Sequence, residues 1–522
     1  MDAPAAPRPV GLVAALLAAA IAVGWLFHYS HSALQLAEKY VRAVGPANDK
    51  FKAQTLTIQR AALQLGDVLP IYGTSELYCC AGSFNAGYFF EDDPTGFSVL
   101  SVGYPLTADL FWAETFGALG NALRGHKLVV SDSAWFIVPS GLDGGVTTSE
   151  YGNSYQPDIA AIFTFDAPIP LALRAAVARR MVDFPSTFET QSQQVEQAGL
   201  LDLSRGGIRG YGAYLLLQPL GRLVAWQDKL NDAKTTITLL RGTTFPLTNH
   251  PRLARILSAL DLIRTPTLLS LPTAQQPSGL TSHYPVKPQQ INWNLDLAEA
   301  TQQAEAQSKN NPFGVAGTGS FQRCSDILPV SGSECAQALQ LLAEGHNNHS
   351  ATYIPIPKNY LQGVEQCPCW TDLNLEFETL DAIGAKPLAW LQPLEGYMED
   401  YTEYSAATRR AIYDRYMALA KADGITATDF ETHDDDPYFT DSFGHLSQRG
   451  WVYADRLINL FWHGQLSLVS AEMAKGGSTD LLFSPALNCP VQSWCQGVDN
   501  VAPLPGELDD LPEGMPSLWN GK

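Results

Sequence analysis

The chain has 522 residues, of which 46% are hydrophobic, and a formal net charge of -20. That much apolar material supplies a large buried core and excludes a disordered chain. The acidic balance excludes a nucleic-acid-binding surface, which needs a basic stripe to neutralise phosphates.

Val10 to Phe27 carries no charged residue, and its length is at the lower edge of what crosses a bilayer as one helix. Trp25, Phe27, His28 and Tyr29 form an aromatic interfacial belt, which favours an uncleaved anchor over a signal peptide cut between Ser32 and Ala33. Arg8 precedes the span while Lys39, Arg42, Lys50 and Lys52 follow it, so the flanking charges argue against an exported body. The cysteines argue the other way and decide the expectation. Eight of them fall into local pairs, Cys79 with Cys80, Cys324 with Cys335, Cys367 with Cys369 and Cys489 with Cys495, which suits an oxidising compartment better than zinc binding. Cys324–Cys335 and Cys489–Cys495 are expected to close small loops, whereas Cys79/Cys80 could bridge to Cys367/Cys369.

Ser30 to Val44 reads as a helix leading away from the membrane. Val68 to Gly73 is an apolar run that stops in the small-residue turn Thr74-Ser75-Glu76, the pattern of a buried strand holding a hydroxyl clear of its sheet. A second run, Phe97 to Gly103, then a helical stretch to about Leu123, then a third run, Lys127 to Asp132, make a βαβ pattern and predict a parallel sheet. Ligands of such sheets sit at the carboxyl ends of the strands, where Gly73, Gly103 and the segment Ser131 to Trp135 would meet. Periodicity weakens after Asp143: Leu171–Val182 and Gln191–Leu203 read as helices, Leu215–Trp226 as strand or helix, and Thr265–Asn292 as an extended surface connection. Alternation returns with a helix over Asp372–Ile383, a strand over Lys386–Pro393, a helix over Ser405–Ala422, a strand over Ile425–Phe430 and a helix over Ser447–Gln465 capped by Ser447. The organisation expected is an anchor (1–29), two halves of one α/β domain (30–142 and 372–475), an insertion or lid (143–371) and a cysteine-bearing acidic tail (476–522).

A serine hydroxyl becomes a nucleophile only when a base takes its proton, and the base needs a group that orients it. His445, with Asp441 shortly before it in a loop that opens a helix, supplies both in the order Ser75, Asp441, His445. The backbone N–H groups of Ser75 and Gly103 are the expected oxyanion donors. Asp434 to Asp436 lack the alternating oxygen spacing and distal Glu of a calcium loop and read as a solvated acidic loop, with His433 a surface residue. Glu76 either caps the following helix or lines the pocket.

Tyr72-Gly-Thr-Ser-Glu-Leu77, Ser133-Ala-Trp-Phe136 with Gly141-Leu142, Pro393-Leu-Glu-Gly-Tyr-Met-Glu-Asp-Tyr-Thr402, Asp429-Phe430 and His445-Leu-Ser-Gln-Arg-Gly-Trp451 occur in one order along the chain. In these blocks, over about residues 69–142 and 372–460, the chain resembles the DltD family of D-alanyl transfer proteins, membrane-anchored members of the SGNH hydrolase group. The resemblance implies an α/β, SGNH-like flavodoxin-type three-layer fold with a parallel sheet, a large middle insertion and an N-terminal transmembrane helix. It implies an extracytoplasmic protein working beside a membrane-bound O-acyltransferase to move D-alanyl or another acyl group onto a cell-surface polymer, with no metal or cofactor. Its Ser, Asp and His fall on Ser75, Asp441 and His445, and Ser133 joins Ser75 and Gly103 as an oxyanion candidate. This chain departs from the family in having three residues rather than two between Asp441 and His445, which leaves Asp436 open as the acid. It also has Ser133-Ala134 in place of Pro-Gln and Glu395 in place of Asn. A polysaccharide O-acyl esterase and a non-catalytic partner of the acyltransferase are the alternative readings.

Overall fold

The computed structural model describes residues 56–77, 82–92, 95–103, 107–134, 137, 157–181, 183, 291–309, 360–394, 406–434, 438–442 and 445–466, with scattered helical positions between 13 and 24 and between 212 and 226. In chain order the regular elements are α1 (Leu56–Leu65), β1 (Val68–Gly73), α2 (Ala86–Asp92), β2 (Ser98–Gly103), α3 (Asp109–Leu119) and β3 (Lys127–Ser133). There follow α4 (Pro157–Asp166), α5 (Leu171–Met181), α6 (Trp293–Lys309), α7 (Tyr360–Glu365), α8 (Cys369–Ile383) and β4 (Lys386–Gln392). The series closes with α9 (Ala406–Ala422), β5 (Thr426–Asp429), β6 (Thr440–Ser442), β7 (His445–Leu446) and α10 (Gln448–Trp462).

Five strands form one parallel sheet in the order β2-β1-β3-β4-β5, the flavodoxin-type arrangement. The chain leaves β1 for β2 on one side and returns to β3 on the other, so the strand order reverses beside the carboxyl end of β1, the place such sheets use for ligands. Successive strand residues point to opposite faces. Tyr72, Val102, Val130 and Leu391 join the core made with α1, α3, α4, α5, α8 and α9. Ile71, Val99, Val129 and Trp390 join the one made with α2, α6 and α10. The sheet is therefore covered on both faces, which is why its strands read as unbroken apolar runs: all six residues of β1 are buried. Trp390, Trp451 and Trp293 are among the largest fully buried side chains, and burying a large apolar side chain contributes about 1.5–3 kcal/mol each.

The ends of the elements follow from local chemistry. At the end of α8, Gly384 takes φ 76°, a left-handed conformation in which its N–H reaches Leu380 O and Asp381 O, and the chain turns directly into β4. Ser447 caps α10, its hydroxyl accepting from Arg449 N at 3.1 Å and Gly450 N at 3.3 Å.

Several expectations need correction. Cys367 and Cys369 bond to each other, so neither is available to Cys79 or Cys80. The Cys79/Cys80, Cys324/Cys335 and Cys489/Cys495 pairs, the helix expected over 30–44 and that over 191–203 lie outside the described residues, as does the tail from 476. His433 is buried rather than on the surface: its ring stacks on Phe439 with centroids 4.1 Å apart. Asp434 is buried as well, because Arg409 Nε donates to it at 2.9 Å and the Tyr413 hydroxyl at 2.5 Å. A charge leaves water when a guanidinium and a phenol replace its solvation, a condition set by α9 and invisible in the acidic run itself. The described positions of the segment 215–226 are helical rather than strand. Helices α1, α2, α4, α6 and α7 and the β6–β7 pair were not expected; α4 and α6 carry no clear period. Among the described residues no helix is long and apolar enough to cross a membrane, and most of Val10–Phe27 lies outside them.

Candidate active site

Strand β1 delivers Ser75. After Gly73 the chain enters a tight turn over Ser75–Leu77, closed by Leu77 N donating to Thr74 O at 3.4 Å. Gly73 lies opposite Gly103 in the β1–β2 register, and a Cβ at Gly103 would stand 2.7 Å from Thr74 O and 3.0 Å from Leu77 Cβ. Only a residue without a side chain lets the turn fold back across the end of β2.

Glu76 locks the turn from below. Buried to 1% exposure, it accepts a bond from Thr74 N at 2.8 Å and another from the Thr74 hydroxyl. Its backbone carbonyl accepts from Asn85 Nδ2 at 3.1 Å. Glu76 thus fixes the turn that presents Ser75 by bonding back to Thr74 rather than by capping the following helix.

His445 reaches Ser75 from the far end of the domain. The short strand β7 pairs antiparallel with β6 through Ser442↔His445, and Ser447 begins α10 two residues on. The fold brings Ser75 Oγ and His445 Nε2 to 2.8 Å, a hydrogen-bond distance between two half-buried residues. Burial pushes His445 down to about 4, so its ring is neutral at pH 7 and Nε2 can accept the serine proton. Asp441 belongs to β6, its side chain outside the described residues, as Asp436 is altogether.

The two strands flanking β1 end beside this pair. Gly103 closes β2, and Ser133 closes β3 opposite Gln392 of β4. Both are half-buried. Residues expected at the site therefore come together as Ser75 with His445, while Gly103 and Ser133 mark the neighbouring strand ends.

Beneath the serine turn lies a polar layer, of which the sequence marked Glu76 and the segment Ser131 to Trp135 but not Glu376. Ser131 Oγ accepts from Trp390 Nε1 and from Gln392 Nε2, both at 2.8 Å, and hydrogen-bonds the Glu76 carboxylate. Asp132, next along β3 and facing the other core, accepts from the Tyr416 hydroxyl at 2.7 Å. Burial, augmented by the Glu76 charge, pushes it up to about 7 against that hydrogen bond. Glu76 is raised by burial, and Glu376 of α8 well above its ordinary range by burial and by the charges of Asp132 and Asp109. The signal available in the sequence was an acid, Asp132, closing an apolar strand, together with Glu376 on the buried face of an amphipathic helix.

A family model described as "DltD protein" matches residues 46–319 and 358–463, and so covers both halves of the sheet and both Ser75 and His445. Protein DltD of Bacillus subtilis (strain 168) is 23% identical over 456 residues, spanning 87% of this chain and 96% of that protein.

Proposed function

This chain belongs to the DltD family, and on that premise we propose that it is a membrane-anchored, extracytoplasmic serine enzyme of SGNH type that helps transfer D-alanyl or another acyl group to a cell-surface polymer. The observation that carries the reading is the 2.8 Å contact between Ser75 Oγ and His445 Nε2 at the carboxyl edge of the parallel sheet.

In this mechanism His445 Nε2 takes the proton of Ser75 as Oγ attacks the acyl carbonyl. The tetrahedral oxyanion is received by the N–H groups of Ser75 and Gly103, with Ser133 at the third strand end; a well-placed donor of this kind contributes roughly 3 kcal/mol. The imidazolium then gives its proton to the leaving group, and the acyl group remains on Ser75 as an ester. An acceptor hydroxyl, deprotonated by the now neutral His445, attacks that ester and carries the acyl group away. Asp441 acts as the orienting acid, holding the imidazole tautomer and stabilising its charged form.

The donor comes from a membrane-bound O-acyltransferase, and the Val10–Phe27 segment holds the body beside it. What supports the anchor is that Val13, Leu16, Leu17 and Ile21 are helical and 60%, 62%, 61% and 65% exposed, so these apolar side chains find no cover within the protein. A fluorophosphonate probe should label the wild type on Ser75 and leave Ser75→Ala unlabelled. Equal labelling of the two, or none of the folded wild type, would remove the enzymatic reading. Product analysis with polymer present then separates acyl transfer from hydrolysis.

A further inference from the structure

We propose that Asp109, Asp132 and Glu376 form a buried site for one hard divalent cation, best matched by calcium. The three acids come from separate elements: Asp109 opens α3, Asp132 stands next to the end of β3, and Glu376 lies in the middle of α8. One carboxylate oxygen from each lies within 4.8 Å of the other two. Oxygens about 2.4 Å from a calcium ion stand up to about 4.8 Å apart across it, so the set has the size that a calcium ion spans. Magnesium, at about 2.1 Å, would draw the set tighter. A donor set made only of carboxylate oxygens selects calcium, magnesium or manganese over zinc and copper.

Glu376 adds an observation independent of the clustering. It is 0% exposed, and neither of its carboxylate oxygens has a hydrogen-bond partner among the described residues. The charges that act on it, from Asp132 and Asp109, are both acidic. One turn earlier on the same helix, Asp372 is comparably buried but is held by Arg180 through bonds of 2.7 and 3.0 Å. The fold therefore neutralises one acid of α8 with a guanidinium and turns the next towards two further carboxylates. An unpaired carboxylate out of water is costly unless a counter-charge joins it. The Tyr416 hydroxyl takes one lone pair of Asp132 Oδ2, and a carboxylate has further lone pairs with which to bind an ion. A cation here would tie α3, β3 and α8 together on the face of the sheet away from Trp390. The inference stands apart from the catalytic reading, since none of the three acids takes part in that mechanism.

Full-length protein stripped with chelator and titrated with calcium chloride should bind one equivalent per chain by isothermal titration calorimetry. Terbium should bind in its place and give emission sensitised by Tyr416. Glu376→Gln keeps the shape of the side chain and removes its charge; it should weaken calcium binding at least tenfold while circular dichroism stays that of the wild type. Asp109→Asn, at a half-buried position, should weaken binding in the same way. Absence of saturable binding of calcium, magnesium or manganese up to low millimolar concentration overturns the proposal and means that the acids hold protons instead. Binding by folded Glu376→Gln as tight as the wild type's overturns it too.

Discussion

His445 sits in a place that fixes its protonation. Its ring lies against Ser75 and is pushed down to about 4 by burial, against an ordinary value near 6.5. A base works only while unprotonated, so the rate of fluorophosphonate labelling should stay nearly constant from pH 8 down to about 5 and fall as pH approaches about 4. A midpoint near 6.5 in that profile would mean that a neighbouring charge such as Asp441 offsets the burial. Glu76 illustrates the opposite limit. Its carboxylate is raised by burial yet spends its oxygens on the Thr74 turn, so the residue beside Ser75 serves geometry.

At the level of elements, the ends of β1 and β2 must pass within contact of each other for the serine turn to form. Gly103→Ala places a Cβ 2.7 Å from Thr74 O, closer than real Cβ atoms come, and the obstacle is backbone that cannot swing aside. We expect labelling of Ser75 to slow at least tenfold with little change in far-ultraviolet circular dichroism. Labelling at the wild-type rate would show that the turn relaxes freely. The five strands of the parallel sheet and helices α3, α5, α8, α9 and α10 could be read from the chain, because apolar runs closed by Gly or an acid carry their own period. Helices α4 and α6 could not: they have apolar or polar residues on every side, and what makes them helical is contact with α3 and α10. The β6–β7 pair is too short for any period, yet it sets where His445 stands.

For the molecule as a whole, His463 is one source of sensitivity to acid. His463 closes α10 with its ring bonded to Thr95 O at 3.0 Å, and burial, with Lys127 nearby, pushes it down to about 4. The unfolded chain binds this proton near pH 6.5 and the folded chain does not until about 4, so the contribution is fully present above 6.5 and is lost as pH falls through that window. At pH 5 the loss is roughly 2 kcal/mol. Asp132, raised to about 7, works in the other direction, its contribution present below the ordinary carboxylate range and lost as pH rises towards 7. The two oppose each other, so the useful measurement is a difference: between pH 7 and pH 5, urea unfolding of His463→Gln should lose roughly 2 kcal/mol less than the wild type. Equal losses in the two proteins would exclude His463 as a source of acid sensitivity.

Two things about this protein were determined by its sequence alone: the alternation that makes a parallel α/β sheet, and the small-residue turn that ends β1 at Ser75. Both are local, since a run of apolar residues declares a strand covered on two faces and Gly-Thr-Ser needs only its neighbours to turn. The order of Ser75 before His445 was also visible, but a distance of 2.8 Å between them is a product of β7 meeting the end of β1. Tertiary structure alone decided which charges leave water. Asp434 reads as part of an exposed acidic run until Arg409 and Tyr413 cover it. Asp109, Asp132 and Glu376 are far apart in the chain and become one cluster only when α3 and α8 pack on the same face of the sheet. Burial of a polar group depends on partners brought from elsewhere in the chain, and no local pattern records them.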